Sequence, residues 1–201
     1  MKRGFNTMSY NASNVTTAKQ GATGTVWRAP KGTTLPTDAT TSLASAFTNL
    51  GHVSEDGYTV SDSRETQEIK NMDGVTVYAP QTGITSTVKV GMLEALNVDV
   101  LKTKYGTNNV SGTLEEGISA TLKGDEPEEF VWVFESLLRG GVKKRFIIPN
   151  GKVTETGDEV YKNNEPMIED FTITASADST GALRYEYIKA ASSSGNSGTS
   201  N

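Results

Sequence analysis

Apolar side chains recur at every second position in segment after segment of this chain, a period that suits strands and not helices. Ile84, Val88 and Val90 fall on one face of residues 84–90, with Thr85, Thr87 and Lys89 on the other, which predicts a half-buried strand. Ile118, Ala120 and Leu122 repeat the device, as do Phe171, Ile173 and Ala175. The turn DSTG (178–181) then leads into LRYEYI (183–188), a predicted hairpin. FVWVF (130–134) is apolar on both faces and is expected at a sheet centre. RFIIP (145–149) is expected to be a short strand stopped by its proline.

One helix is predicted. Asn97 can cap it, Asp99 sits in its first turn, and Lys102 and Lys104 lie near its end, before Gly106. These placements suit the backbone donors and the dipole of a helix. Val98, Leu101 and Tyr105 form its expected apolar stripe. A second helical turn is a weaker expectation over residues 41–47. About eight strands with one short flanking α-helix predict a mainly β fold, a β-sandwich or a strongly curved barrel. Residues 1–24 read as an extended N-terminal arm, 25–189 as the β-domain, and 190–201 (AASSSGNSGTSN) as a flexible Ser/Gly-rich tail. Arg64, Glu65, Gln67, Glu68 and Lys70 make residues 61–73 too polar for a core hairpin, so this stretch is expected to be a long loop between strands, the kind that usually has a function.

Composition narrows the function. The chain has no cysteine and one histidine, so thiol chemistry and thiolate metal sites are excluded. No apolar run approaches bilayer length and no signal peptide heads the chain, so a soluble protein with no membrane partner is expected. The net charge of −5 is uneven: residues 1–50 hold five bases and one acid, a net +4, which leaves −9 for the rest. A basic arm on an acidic body argues against phosphate-backbone binding as the main task and suits copies of one protein reaching for one another.

The stretch GHVSEDGYT (51–59) holds that histidine beside Ser54, Glu55 and Asp56. A triad reading must use His52, but no nucleophile elbow or oxyanion-hole signature accompanies it, and Glu-Asp-Gly is ordinary turn chemistry. GDEPEE (124–129) lacks the spaced ladder of a calcium loop. Trp132 is better explained as core than as a sugar platform, and KKR (143–145) reads as a charged edge strand. No cofactor or metal is expected. A runner-up function remains a monomeric β-sandwich module binding carbohydrate or a cell surface through Trp27 and Tyr58.

Several motifs, in order, resemble a known family. WRAPKGTTLP (27–36) followed by FTNLGHVSEDG (47–57), the polar stretch VSDSRETQEIK (60–70), NVDVLKTKYG (97–106), VWVF (131–134), IPNGKVTE (148–155) and ADSTGA (177–182) are similar to the major tail tube proteins of long-tailed, siphovirus-like bacteriophages, notably those of actinobacterial hosts. The resemblance covers roughly residues 20–190. Two positions depart from it: His52 stands where an aromatic is more usual, and Tyr58 where a smaller aliphatic is. Met8 would also serve as a first residue, which makes residues 1–7 a candidate extension.

The resemblance implies a non-enzymatic virion protein. Its copies form hexameric rings that stack head to tail into a non-contractile tail tube, assembled in the host bacterial cytoplasm, through which double-stranded DNA passes without tight binding. It implies further partners in a tape measure protein, a tail terminator and distal tail or baseplate proteins. On this reading His52, Glu55, Asp56, Tyr58, Arg64, Glu65 and Lys70 are inter-ring or inter-subunit contacts. GHVSEDGYT launches the bridging loop, and Arg64 and Lys70 meet acids of the next ring. Thr85, Thr87, Ser119 and Thr121, on hydroxyl-rich and acidic faces, are candidates for the lumen.

Overall fold

The computed structural model describes residues 10–190. Residues 1–9 of the expected arm and the Ser/Gly-rich segment 191–201 lie outside the described residues. Thirteen strands and one helix follow in chain order among them. They are β1 (Ala18–Gln20), β2 (Val26–Pro30), β3 (Thr48–Asn49), β4 (Val53–Thr66), β5 (Ile69–Lys70), β6 (Thr76–Tyr78) and β7 (Gln81–Met92), then α1 (Val98–Tyr105), then β8 (Val110–Ser111), β9 (Ser119–Ala120), β10 (Glu129–Leu138), β11 (Lys143–Thr156), β12 (Glu169–Ser176) and β13 (Tyr185–Lys189). Nine of the strands make one antiparallel sheet in the order β3-β2-β10-β11-β12-β7-β4, with β1 added to β10 and β13 to β11. The mainly β expectation with one helix holds, and the sheet curves strongly without closing into a barrel.

The doubly apolar segment lies at the centre, as its pattern required. β10 pairs with β11 on one edge and with β1 and β2 end to end on the other. Phe130, Trp132 and Phe134 point to the inner face, where they meet Phe146, Ile148, Phe171, Ile173, Val88 and Val90. Val131 and Val133 point outward, and with Ala29 and Ile147 they are covered by Phe47, Leu35 and Leu43 from the connection after β2. The Trp132 indole N–H donates to the Gly151 carbonyl at 2.9 Å, so its one polar atom is satisfied inside the core.

The sheet rolls because its last strand folds back over its middle. The Tyr58 ring of β4 lies 5.1 Å from that of Phe134. Its hydroxyl shares a 2.9 Å hydrogen bond with that of Ser136. The Gln20 side-chain amide donates to the Val53 carbonyl at 2.9 Å. Two side-chain bridges thus span a seam where a closed barrel would have a backbone ladder. Arg184 adds a third tie from the segment before β13, gripping Asp62 of β4 with both guanidinium nitrogens at 2.8 and 2.9 Å.

Several sequence expectations are corrected. Pro149 does not end its strand: β11 runs through it. The proline falls at the β10–β11 bulge, just where β11 exchanges β13 for β12 as its second neighbour, so its missing N–H interrupts no ladder. Residues 171–176 and 183–188 are not a hairpin. β12 and β13 lie end to end along the same edge of β11, and the 178–181 turn is a corner between them. Ile118, Ala120 and Leu122 do not form a core strand. Only a two-residue pairing with β8 is present there, and Leu122 is exposed. Residues 41–47 hold a bend and not a helix, because the Asp38 carboxylate accepts from the Thr40 and Thr41 backbone N–H groups and organises a turn.

The helix is where its caps predicted. Asn97 accepts from the Asp99 N–H at 2.9 Å, and the Gly106 N–H closes on Lys102. Its buried face is Val100 and Thr103. The expected stripe of Val98, Leu101 and Tyr105 is only half-buried, and it is Val100 that joins the core. Lys104 on this helix is 8% exposed and bonds Glu169, itself 7% exposed, at 2.5 Å, as well as Glu159. Burial pulls the Lys104 ammonium down, but the two carboxylates outweigh it and hold its pKa above the ordinary lysine value.

Two predictions arise from these contacts. Replacing Lys104 by Met leaves Glu169 a buried charge without a partner, and urea unfolding should lose about 3–5 kcal/mol. Hydrogen bonds from the Tyr185 and Thr180 hydroxyls and from the Thr180 and Ala182 backbones hold the Asp178 carboxyl down at about 2. A depressed carboxyl stabilises the fold above its unfolded value, about 3.9. That contribution fades as pH falls toward 2. Carboxyl NMR titration should place its midpoint near the lowered value, and Tyr185→Phe should move it upward.

Candidate functional site

The GHVSEDGYT stretch is neither a turn between elements nor a catalytic cluster. It is the start of β4, interrupted by a bulge. Val53 pairs with Met92 and Tyr58 with Val90, so residues 54–57 stand opposite Gly91 alone. Two glycines make that possible. Gly57 takes a φ of +69°, a left-handed conformation suited to glycine. At Gly91 an added Cβ would lie 2.6 Å from the Asp170 carboxylate and 2.8 Å from Ile168. The bulge twists the strand, so that Tyr58 turns in to the core while Glu55 and Asp56 remain exposed.

His52 is held through its backbone. Its N–H donates to Glu94 at 3.0 Å, and its carbonyl accepts from Leu93 at 2.8 Å. Ser54 is buried beside Gly91, away from the exposed His52 side chain. The pieces of a triad are therefore not assembled. Among the described residues no group of three or more His, Asp or Glu side chains could hold a metal ion, and no helix is long and apolar enough to cross a membrane.

Residues 61–73, expected as a loop, are a hairpin arm. β4 and β7 pair without a break from Tyr58 to Glu65, and β5 and β6 prolong the ladder after a register shift. The arm can be polar because it leaves the body: its backbone is satisfied by its own partner strand, and both faces meet water. Arg64 donates to the Gln81 side chain at 2.8 Å, Lys70 pairs with Glu68 at 3.3 Å, and the Glu65 side chain lies over Gly83. Arg64 and Lys70, expected to meet acids of the next ring, thus have partners within the arm. Sequence reading missed the apolar complement, Ile69, Met72, Val75, Val77 and Tyr78, all exposed. The alternation of Val75, Val77 and the following tyrosine was the available signal.

The four hydroxyl candidates fall in two places. Thr85 and Thr87 lie on the outer face of β7, where they continue a hydroxyl surface across three strands. Ser61 and Thr174 flank Thr87, and Ser63 pairs with Thr85. Thr154 and Thr174 share a 2.8 Å hydrogen bond on the same surface. Ser119 belongs to the separate β8–β9 pair, and the Thr121 N–H donates to Asn109 beside it. Acidic side chains border this surface: Glu155 accepts from the Thr172 hydroxyl at 3.4 Å, and Asp170 shares the outer face of β12 with Thr172.

The residues named for sugar stacking are not displayed. Trp27 is half-buried against the outer core, and Tyr58 against Phe134.

No curated protein matches the chain. Among solved structures, a chain described as "Virion of native gene transfer agent (GTA) particle" is similar at 9% identity and a TM-score of 0.40, covering 86% of this chain and 100% of that one. A second, "Tail of empty GTA particle computed with helical refinement, C6 symmetry", is similar at 12% identity and a TM-score of 0.38, covering 80% of this chain and 96% of that one. Neither match bears on the actinobacterial hosts. A family model described as "Phage tail tube protein" matches residues 8–197. The chain belongs to the phage tail tube protein family and is a structural protein of the virion tail.

Proposed function

We propose that six copies of this chain associate edge to edge into a ring, and that rings stack head to tail into a tube that conducts double-stranded DNA. The observation that carries this reading is the terminal strand β4. It is fourteen residues long, closes the sheet order on one side, and has no strand paired to its outer edge among the described residues. A long free edge is a template for another chain, and a ring of copies supplies that chain to every member at once. The short β3 over β2 forms the opposite end of the sheet and is the receiving edge.

The hydroxyl surface of β4, β7 and β12 faces the lumen. It carries Thr59, Ser61, Ser63, Thr85, Thr87, Thr172 and Thr174, with Lys89 among them. A surface without a cluster of cations does not displace the counterions condensed on DNA, so the duplex is not held and slides. The same lumen holds a tape measure protein before the genome passes, and the tube ends meet terminator and distal tail proteins. The chain works by assembly, without catalysis, in particles built in the host cytoplasm. The leading arm bridges to an adjacent ring. Its residues 18–20 belong to the sheet of their own subunit, which supports a bridge made from the residues before them.

Negative-stain microscopy of the purified protein tests the assembly. Hollow tubes with six-fold cross-sections are expected on concentration, and protein that stays monomeric at every concentration overturns the reading. Removing residues 1–15 should leave the circular dichroism spectrum unchanged, because β1 and its brace through Gln20 are retained, while shortening the tubes. Tubes of undiminished length would refute the bridging role of the arm.

A further inference from the structure

Three lysines stand in one row across four strands. Lys19 of β1 is opposite Leu137 of β10, Leu137 is opposite Lys143 of β11, and Lys143 is opposite Lys189 of β13. Residues paired in this way share a face, and the row is about 14 Å long at the spacing of strands. All three lysines are exposed. Like charges directly opposite each other, as Lys143 and Lys189 are, destabilise a sheet. The acids around them are taken or stand apart. Glu135 is held by Arg145 and Glu186 by Lys144. Lys189 bonds the neutral Thr40 hydroxyl at 3.1 Å. Among the described residues none of the three lysines is in an ion pair, with Glu55 and Asp56 across the seam or with any other acid.

A cavity of about 500 Å³ adjoins the row, and Leu137 and Lys143 line it. Trp27, Leu43 and Phe47 give it an apolar wall, and serine and threonine hydroxyls of residues 40–45 line it as well. Its one carboxylate, Glu135, is the one that Arg145 already holds. The place therefore suits an apolar side chain flanked by carboxylates. The acids bordering the row, Glu55, Asp56 and Glu186, favour a short acidic segment over a phosphate backbone, whose charge would run on past the lysines.

The chain itself carries such a segment in the turn between β8 and β9. Leu114 is 61% exposed there, Glu115 and Glu116 are exposed beside it, and neither acid is in an ion pair among the described residues. The turn is closed by the Gly117 N–H on the Thr113 carbonyl at 2.8 Å and the Glu116 N–H on the Thr113 hydroxyl at 3.2 Å. Its shape is set before it meets a partner, which limits the entropy lost on docking. It does not line the cavity of its own chain. The approach to β8 is tied to the start of β10, where Glu128 accepts from the Thr107 N–H and hydroxyl at 2.8 Å, while the cavity takes in Glu135 to Leu137 near the end of that strand.

We propose that the Leu114–Glu115–Glu116 turn of one copy docks on the Lys19–Lys143–Lys189 row of a second copy of this chain, with Leu114 entering the cavity beside Trp27. The two surfaces differ, so the contact is head to tail and can pass from copy to copy. The inference rests on the tube reading and adds to the free edge of β4 a second, ionic contact between subunits. Exposed charges make it sensitive to salt.

The chain has no cysteine, so single cysteines report this contact without background. An equimolar mixture of the Leu114→Cys and Ser45→Cys proteins, assembled and then treated with diamide, should give a disulfide-linked dimer that neither protein gives alone. Replacing Glu115 and Glu116 by Lys should raise the concentration needed for tube growth at least tenfold at low salt and by less at high salt. Adding Lys143→Glu and Lys189→Glu to that chain should recover most of the loss. Tubes without the mixed dimer, unimpaired growth of the reversed-charge chain, or no recovery in a fourfold variant of unchanged circular dichroism would each overturn the inference while leaving the tube reading standing. Lysine-dependent retardation of duplex DNA without the mixed dimer would assign the row to phosphates and overturn it as well. Wild-type protein that never forms tubes overturns both.

Discussion

From Phe130 to Phe134 every side chain of β10 is buried, on both faces, and the strand is laddered to β11 almost from end to end. This pairing organises the rest of the molecule. The inner face carries the large core inside the roll, and the outer face carries the smaller one under the connection after β2. The free edge of β11 takes β12 and β13 in succession, and that of β10 takes β1 and β2. A long strand that serves two neighbours on one edge must twist between them, and the bulge at Pro149 is where it does so. The roll is a consequence of that twist, and the seam between β1 and β4 is what remains when the roll stops short of closure.

An unclosed sheet is a liability for a protein alone and a joint for a protein in an assembly. The seam is bridged by Tyr58–Ser136 and Gln20–Val53, side chain against side chain or backbone. Among the described residues no strand pairs with the outer edge of β4. In the ring proposed above these features have a use, since each copy's free edge is completed by its neighbour. The bulge at residues 54–57 serves the same end. It turns Tyr58 inward to hold the body of β4 down, and it leaves the remainder of the strand to leave the core as an arm.

The division of polar and apolar groups along that arm runs against the usual expectation for a protruding segment. Arg64 bonds Gln81 and Lys70 pairs with Glu68, while Ile69, Met72, Val75, Val77 and Tyr78 stand exposed. Solvated pairs of this kind add little to stability. The acidic stretches, by contrast, lie in the loops around α1 and β11 and are tied there by Lys104, Lys152 and Lys162.

The residue pattern by itself determined the strand-rich class, the central place of FVWVF, the capped helix at 97–106 and the family, because these rest on local periodicity, capping chemistry and ordered motifs. What only the tertiary structure decided are the partners of each strand. GHVSEDGYT reads as a turn until it is seen to be the bulged start of β4. Pro149 reads as a stop until a bulge is seen to need no N–H there. The segments 171–176 and 183–188 read as a hairpin until both are found on one edge of β11. Residues 61–73 read as a loop because polarity on both faces is taken for lack of structure, whereas a hairpin outside the core satisfies its backbone without burying either face. Strand pairing is a long-range choice among edges of similar local pattern, and the energy that selects it comes from the burial of Phe134 against Tyr58 and Phe146, residues far apart in the chain.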